Sequence, residues 1–321
     1  MIITIALNPS VVRKININDF KLGVLNQSAA NELTIGDCGI YSAYVIKVMQ
    51  GDPYVMGVSG GIGGRFIKNF LDKNRIKTDF LHVDHETKTL LLLHDITNET
   101  VTSVTSHSKE ITNGDFVNIK HKLNHHIDET NIVTISGSDS HIPSLLDEIH
   151  KMSKDSKKII LGTDGNIISE CIKKNIYSVV IDNHDLQFLG LTFPETEEQY
   201  EEIRQFQRRH AIRYLIIKGN YEVIGFSKNK ICKIHYHTKN DLYPIVKSTI
   251  LGGLTIGVKR NYQFEKIMKL IGSIANGCNI NEYPFIIRRK EIDKGVNITK
   301  LFEVYNERNG YIKGENSNGK S

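Results

Sequence analysis

The chain has 321 residues, 40% of them hydrophobic, and a formal charge of +5 at pH 7. That length and apolar content suffice for a large core, in one big α/β domain or in two domains. Basic residues are scattered in short runs (154–158, 208–209, 288–290) beside acidic or polar neighbours, the pattern of a solvated face rather than a nucleic-acid or membrane surface. Cys38, Cys171, Cys232 and Cys278 are far apart and form no CxxC pair, which argues against a structural zinc site or a disulfide framework. The first residues read as a strand without a signal-peptide pattern, and no apolar run approaches about 18 residues, so a cytoplasmic protein is expected.

Ile2 to Leu7 is a short, nearly continuous apolar run, as expected of a strand buried on both faces. From Ile15 to Ile35 the chain is more polar and suggests half-exposed antiparallel strands. Gly36 to Gly39 makes a turn into a helix from Ile40 to Met49, and Asp52 to Gly57 returns as a strand. Gly60-Gly61-Ile62-Gly63-Gly64 then leads into a helix from Arg65 to Lys73. Strand-like runs at Phe80–Val83, Thr89–His94 and Thr100–Thr105 are separated by polar turns. With the segment from about residue 12 to 35, they predict a small accessory β lid.

Beyond the lid the pattern is regular. Apolar strands at Ile132–Ile135, Lys158–Leu161, Ser178–Ile181 and Tyr214–Ile217 alternate with helices near Phe116–His125, Pro143–Met152, Asn166–Lys173 and Glu195–Arg209. This alternation predicts an α/β fold, a central mostly parallel sheet with helices on both faces. Glu222–Phe226 and Ile231–His235 predict a hairpin, and Gln263–Ala275 a helix. Residues 1–309 are expected to form one domain, with lid strands from about 12–35 and 77–105. Residues 310–321, rich in Gly, Asn, Ser and Lys, are expected to be a disordered tail.

Val246 to Val258 reads as a loop whose glycine pair, Gly252-Gly253, opens into a helix. Helix N-termini attract phosphate through unpaired N–H groups, and glycines let an anion come close. Ser138-Asp139-Ser140-His141 holds the residue types of a hydrolytic triad, although sequence neighbours seldom form one.

Several short motifs occur in an order similar to that of the ribokinase (PfkB) family of sugar kinases. Leu7-Asn8-Pro9-Ser10-Val11-Val12-Arg13, Phe20-Lys21-Leu22-Gly23, the run from Gly57 to Ile67, Ile76-Lys77-Thr78-Asp79-Phe80 and Ser136-Gly137-Ser138 resemble its 1-phosphofructokinase and tagatose-6-phosphate kinase branch. The Val246–Val258 stretch resembles the family's Gly-Ala-Gly-Asp loop. The resemblance implies a ribokinase-like fold, ATP and magnesium as cofactors, a ketohexose phosphate as substrate, and a homodimer formed through the lid. It implies no metal ligands of the chain's own. Substrate contacts would fall on Asn8, Gly36, Gly39 and Lys88, and nucleotide contacts on Asn183 and Gly219.

Several functional positions depart from the family pattern. The sugar-binding aspartate is Val12, which cannot accept a hydroxyl hydrogen bond. The Gly-Gly-Lys-Gly-Ile-Asn stretch is Gly36-Asp37-Cys38-Gly39-Ile40-Tyr41, without its lysine and asparagine. Lys88 keeps the charge of a lid arginine but not its fork. Asn183 is followed by Asp185, one residue short of the family's glutamate, which a helix turns by about 100°. Glu222 replaces a glycine near Gly219, and Asp164 is displaced from its motif. Gly253 stands at the position of the closing aspartate, the base that takes the substrate's proton, with Gly252 beside it. Losing a general base costs about 10²–10⁴ in rate. The expectation is a kinase homologue whose phosphoryl transfer is weak or lost. The alternatives are a divergent kinase using Asp241, Asp185 or Asp164, or a partner-binding protein.

Overall fold

A computed structural model describes residues 1–36, 38–107, 109–153, 155–236, 245–277 and 288–312. The chain opens with β1 (Ile2–Ala6), buried on both faces as its apolar run requires. Next come β2 (Ser10–Ile17), β3 (Ser28–Ile35), α1 (Cys38–Val48), β4 (Pro53–Ser59) and α2 (Gly61–Lys73). They are followed by β5 (Lys77–His82), β6 (Lys88–Asp95), β7 (Thr100–Thr105) and α3 (Asn113–His126). The alternating part comprises β8 (Ile132–Gly137), α4 (Ile142–Met152), β9 (Lys158–Thr163), α5 (Ile168–Cys171), β10 (Ser178–Asp182), α6 (Glu197–Arg209) and β11 (Tyr214–Lys218). The chain then runs through β12 (Glu222–Phe226), β13 (Lys230–His235), α7 (Ile245–Lys259), α8 (Phe264–Gly277), α9 (Arg289–Ile298), β14 (Phe302–Asn306) and β15 (Gly310–Tyr311).

Among the described residues, one 11-stranded sheet runs β15-β14-β13-β12-β11-β10-β9-β8-β1-β4-β5. Its members from β5 to β11 pair in parallel, and β12 to β15 extend it antiparallel. Ile2 and Ala6 of β1 point into one core with α1, α7 and α8, while Ile3 and Ile5 point into the other with α3, α4 and α6. The predicted α/β layering is therefore present, with helices on both faces. Capping boxes start two of these helices, Thr112 with Asp115 for α3 and Thr196 with Gln199 for α6.

The lid is a second sheet, β3-β2-β6-β7. Sequence patterning assigns everything from residue 77 to 105 to it, but β5 pairs in parallel with β4 and forms an edge of the main sheet. Its mixed polarity reflects that edge position rather than lid membership. At the other edge, Gly310–Tyr311 forms β15 on β14, inside the stretch expected from sequence to be a disordered tail. Residues 313–321 lie outside the described residues.

The lid is rooted on the start of α2. This helix begins at Gly61, inside the glycine run expected to precede it. Gly61 has φ +63, and a Cβ there would stand 2.0 Å from Glu86 Oε2, so the position requires glycine. The Glu86 carboxylate accepts the N–H groups of Ile62 (3.0 Å) and Gly63 (2.7 Å), acting as an external cap. Thr87 Oγ1 donates to the Gly60 carbonyl (2.8 Å), which carries the chain directly into β6. Burial pushes the Glu86 carboxyl up, but the N–H groups of Gly63, Ile62 and Thr87 and the Arg65 charge outweigh it and hold the carboxyl below its ordinary 4.5.

A carboxyl with a lowered pKa stabilises the fold above pH 4.5, and that contribution is lost as pH falls through the lowered value. Glu86→Gln is expected to lose about 0.5–1 kcal/mol at about pH 7, the scale of an exposed cap. The loss should shrink in acid. Urea unfolding at both pH values checks this, and an equal loss at each would count against the carboxylate's role.

Candidate functional site

In open parallel sheets, ligands bind outside the carboxyl ends of the strands. Here those ends carry Asn8 after β1, Ser138 after β8, Asp164 after β9, Asp182 on β10 and Lys218 on β11. Asn8 Nδ2 donates to Ser138 Oγ (3.0 Å), and the Ser138 N–H donates to Asn8 Oδ1 (3.2 Å). Gly137, at φ +107, permits this clip, because a Cβ would lie 2.1 Å from Asn8 Oδ1. The triad types nearby do not assemble. His141 Nδ1 meets Asp139 (2.9 Å), its Nε2 meets Asn113 (3.2 Å), and Ser140 Oγ donates to Glu110 (2.7 Å).

The start of α7 departs most from the sequence expectation. Val246 to Val258 is helical throughout, because the helix begins at Ile245. Gly252 and Gly253 are therefore interior helix residues, not the end of a phosphate-binding loop. A Cβ on Gly252 would meet Val45 of α1 at 2.7 Å, and one on Gly253 would meet Ile274 of α8 at 3.0 Å. Both glycines serve close helix packing. A loop that opens into a helix leaves its last residue in the first turn, and here that turn is Ile245 to Ser248.

Helical spacing fixes where Ser248 faces. Thr255 Oγ1 lies 3.1 Å from Thr134 Oγ1 on β8, and a Cβ on Gly162 of β9 would touch Leu251 at 2.7 Å. Ser248 continues this face, three residues before Leu251 and seven before Thr255, toward the strands' carboxyl ends. The first turn of α7 contains no acidic residue. Ser136, two residues beyond Thr134 on the same face of β8, is buried with no hydrogen-bond partner among the described residues.

Lys247 is the residue that sequence reasoning missed. Its side chain is 4% exposed, and Nζ donates to the Thr163 carbonyl (2.8 Å), Asp164 Oδ1 (2.5 Å) and Asp185 Oδ2 (3.4 Å). The signal was present: from Ile245 to Val258 it is the one charged residue in an apolar helix. Asp185 Oδ1 also accepts the Gly165 N–H (2.9 Å). Burial raises the Asp185 carboxyl above its ordinary range, and the Lys247 ammonium and the Gly165 N–H offset only part of the rise. One strand over, the buried Lys218 pairs with Asp182 (3.2 Å).

The remaining sequence-predicted positions divide clearly. Val12 is fully buried in the core, where its Cγ2 would meet a Cβ on Gly36 at 2.3 Å. Gly36 donates to the Ser10 carbonyl (2.9 Å), closing the lid root, and Lys88 stands opposite Ser10 in the β2–β6 register. Gly39 lies in the first turn of α1, its carbonyl accepting from Ser42 Oγ (2.8 Å). Tyr41 is buried and packs edge-on against Tyr44. Asn183 Nδ2 reaches Asn220 Oδ1 (3.5 Å), and the Gly219 carbonyl accepts from Tyr236 (2.6 Å). Glu222 pairs with Lys233 (2.7 Å) across the hairpin, with His235 Nδ1 at 3.6 Å. Leu186, in the family's glutamate place, is core. Asp37 and Asp241 lie outside the described residues, as does the side chain of Cys38.

Polar side chains at the carboxyl ends of the strands, beside a separate β lid, complete an α/β layered protein. The pfkB family carbohydrate kinase profile matches residues 7–208, and the chain belongs to that family. It is 29% identical over 204 residues to a 1-phosphofructokinase of Borreliella burgdorferi, covering 62% of this chain and 64% of that one. The match therefore spans less than two thirds of that relative. Another 1-phosphofructokinase, from Bacillus subtilis, is 27% identical over 282 residues, covering 84% of this chain and 89% of the other. A phosphofructokinase-2 structure from Escherichia coli superposes with a TM-score of 0.83 at 15% identity, covering 92% and 98% of the two chains. No helix among the described residues is long and apolar enough to cross a membrane.

Gly253→Asp would bury a carboxylate against Ile271 and Ile274 on α8. It is expected to cost at least about 3 kcal/mol and to confer no activity. Chemical denaturation beside a kinase assay checks both, and a stable, active variant would show that position 253 faces the cleft.

Proposed function

We propose that the chain is a sugar-phosphate kinase homologue of the 1-phosphofructokinase and tagatose-6-phosphate kinase kind whose phosphoryl transfer is weak or lost. The ligands expected by kinship are a ketohexose phosphate and ATP, held between the lid and the strand ends in a cytoplasmic setting. The observation that carries this reading is the first turn of α7, which offers Ser248 and no carboxylate. A serine hydroxyl is not a base near neutral pH, so the proton of an attacking sugar hydroxyl has no acceptor there. Asn8, Lys88, Asn183 and Gly219 remain positions through which a ligand could be held.

Magnesium fits this cleft poorly. Lys247 bridges the neighbouring carboxylates Asp164 and Asp185, and a divalent cation placed between them would meet an ammonium. A second reading, retained transfer with Asp185 as base, is favoured by its raised carboxyl pKa and opposed by the engagement of both its oxygens. A homodimer through the lid also belongs to this proposal. Leu22 and Leu25, at 88% and 90% exposure in the β2–β3 connection, present an apolar tip that a second copy would cover.

Purified protein is expected to transfer phosphate from ATP to a ketohexose-phosphate panel at or near background, while titration calorimetry detects sugar-phosphate binding. Ser248→Asp, alone and with Lys247→Gly, should raise turnover by about 100-fold, the scale of a restored base. Fast turnover by the unaltered chain would overturn the loss of transfer, and absence of binding across the panel would overturn the ligand assignment.

A further inference from the structure

The opposite edge of the sheet, where the parallel strands begin, holds a cavity of about 560 Å³. This lies within the range of roughly 300–1,000 Å³ typical of small-molecule sites. Its walls come from the residues preceding β10 and β11, the β12–β13 turn and the α7–α8 connection. The five residues of β10 separate it from Asp182 by roughly 17 Å, so it is not part of the cleft.

Its lining combines two chemistries. Tyr214 and Phe264 stack with centroids 5.5 Å apart at 10°, and Tyr177 meets Tyr214 edge-on at 6.3 Å. Tyr262 supplies a further, partly exposed ring. Cations stand over three of these faces: Lys158 is 5.3 Å from the Tyr177 centroid, Arg213 is 5.6 Å from Tyr214 and Lys266 is 3.9 Å from Tyr262. Lys230 is neutralised by Glu265 and Glu303. Arg213 and Lys228 are exposed on the lining and make no ion pair with a carboxylate among the described residues. The cavity thus presents ring walls beside uncompensated positive charge.

We propose that this cavity is a second ligand site for a small organic phosphate bearing a planar ring, of the nucleoside monophosphate class. The ring would stack on Tyr177 and Tyr262 by displacing the Lys158 and Lys266 ammoniums that stand over them, since an aromatic face accepts a planar π-system as well as a cation. The phosphate would meet the Arg213 guanidinium, whose fork suits its geometry, and the Lys228 ammonium. Polar side chains of the rim, such as Asn229 and Gln263, would address the hydroxyls of a sugar. This goes beyond the proposed kinase-like cleft and does not depend on it.

Titration calorimetry with AMP, adenosine, inorganic phosphate and a short single-stranded oligonucleotide tests the proposal. AMP should bind, and adenosine and phosphate should each bind at least about tenfold more weakly, because each offers one half of the recognition. Arg213→Ala with Lys228→Ala, at exposed positions that leave the fold intact, should weaken AMP by about tenfold or more. Tyr262→Leu should weaken AMP and leave phosphate unchanged, while Asn183→Ala in the cleft should leave AMP binding unchanged. No AMP binding, phosphate binding as tightly as AMP, a tighter oligonucleotide, or loss of AMP on Asn183→Ala alone would each overturn it.

Discussion

A buried ammonium requires anionic partners, because leaving it unpaired costs several kcal/mol, and much of the carboxyl edge of this sheet serves that need for Lys247. Its three contacts tie the start of α7 to the end of β9 and to the turn after β10. Lys218 and Asp182 repeat the arrangement one strand over. The two lysines at the strand ends are thus answered by three aspartates inside the chain. A site of this kind differs from one that waits for a metal or a phosphate to neutralise it. Ser248, next in sequence to Lys247, lies in the same first turn of α7, which holds no acidic residue.

The parallel core was legible because its strands are buried on both faces and read as short, mostly apolar runs, Ile132–Ile135 and Tyr214–Ile217 among them. Helix α6 falls inside the Glu195–Arg209 segment that the β/α alternation predicts, and its capping box sets where it starts. Other features required the fold. Lys77–His82 has the polarity of a lid strand but completes the main sheet, since edge strands and lid strands share one pattern. The glycine pair in α7 resembled a loop because glycine is common where anions bind, yet the same residue lets helices approach closely, and Gly252 and Gly253 have that second use. Lys247 could not be assigned from sequence, because its partners lie 83 and 62 residues away. Family membership was readable from the motif order, whereas the helical setting of Gly252 and Gly253 was not.

Helix α7 joins the two ends of the molecule. Its rise from Lys247 at the strand carboxyl ends to Val258 beside the aromatic cavity is about 16 Å. Thr255 meets Thr134 midway, and Gly252 and Gly253 seat the helix between α1 and α8. At the cleft the lid is held by a different device, with Glu86 and Thr87 fixing its root to α2. Elements that would contact a ligand are thus positioned by internal polar contacts, whatever chemistry survives there.

The claim that Lys247 organises the cleft is tested most directly by a double-mutant cycle between Lys247→Met and Asp185→Asn, read by urea unfolding at about pH 7. Each single change leaves a buried charge with fewer partners, whereas the pair removes both charges together. A coupling of about 1–3 kcal/mol between the two is expected. Effects that simply add, within about 0.5 kcal/mol, would contradict a cleft built around that ammonium.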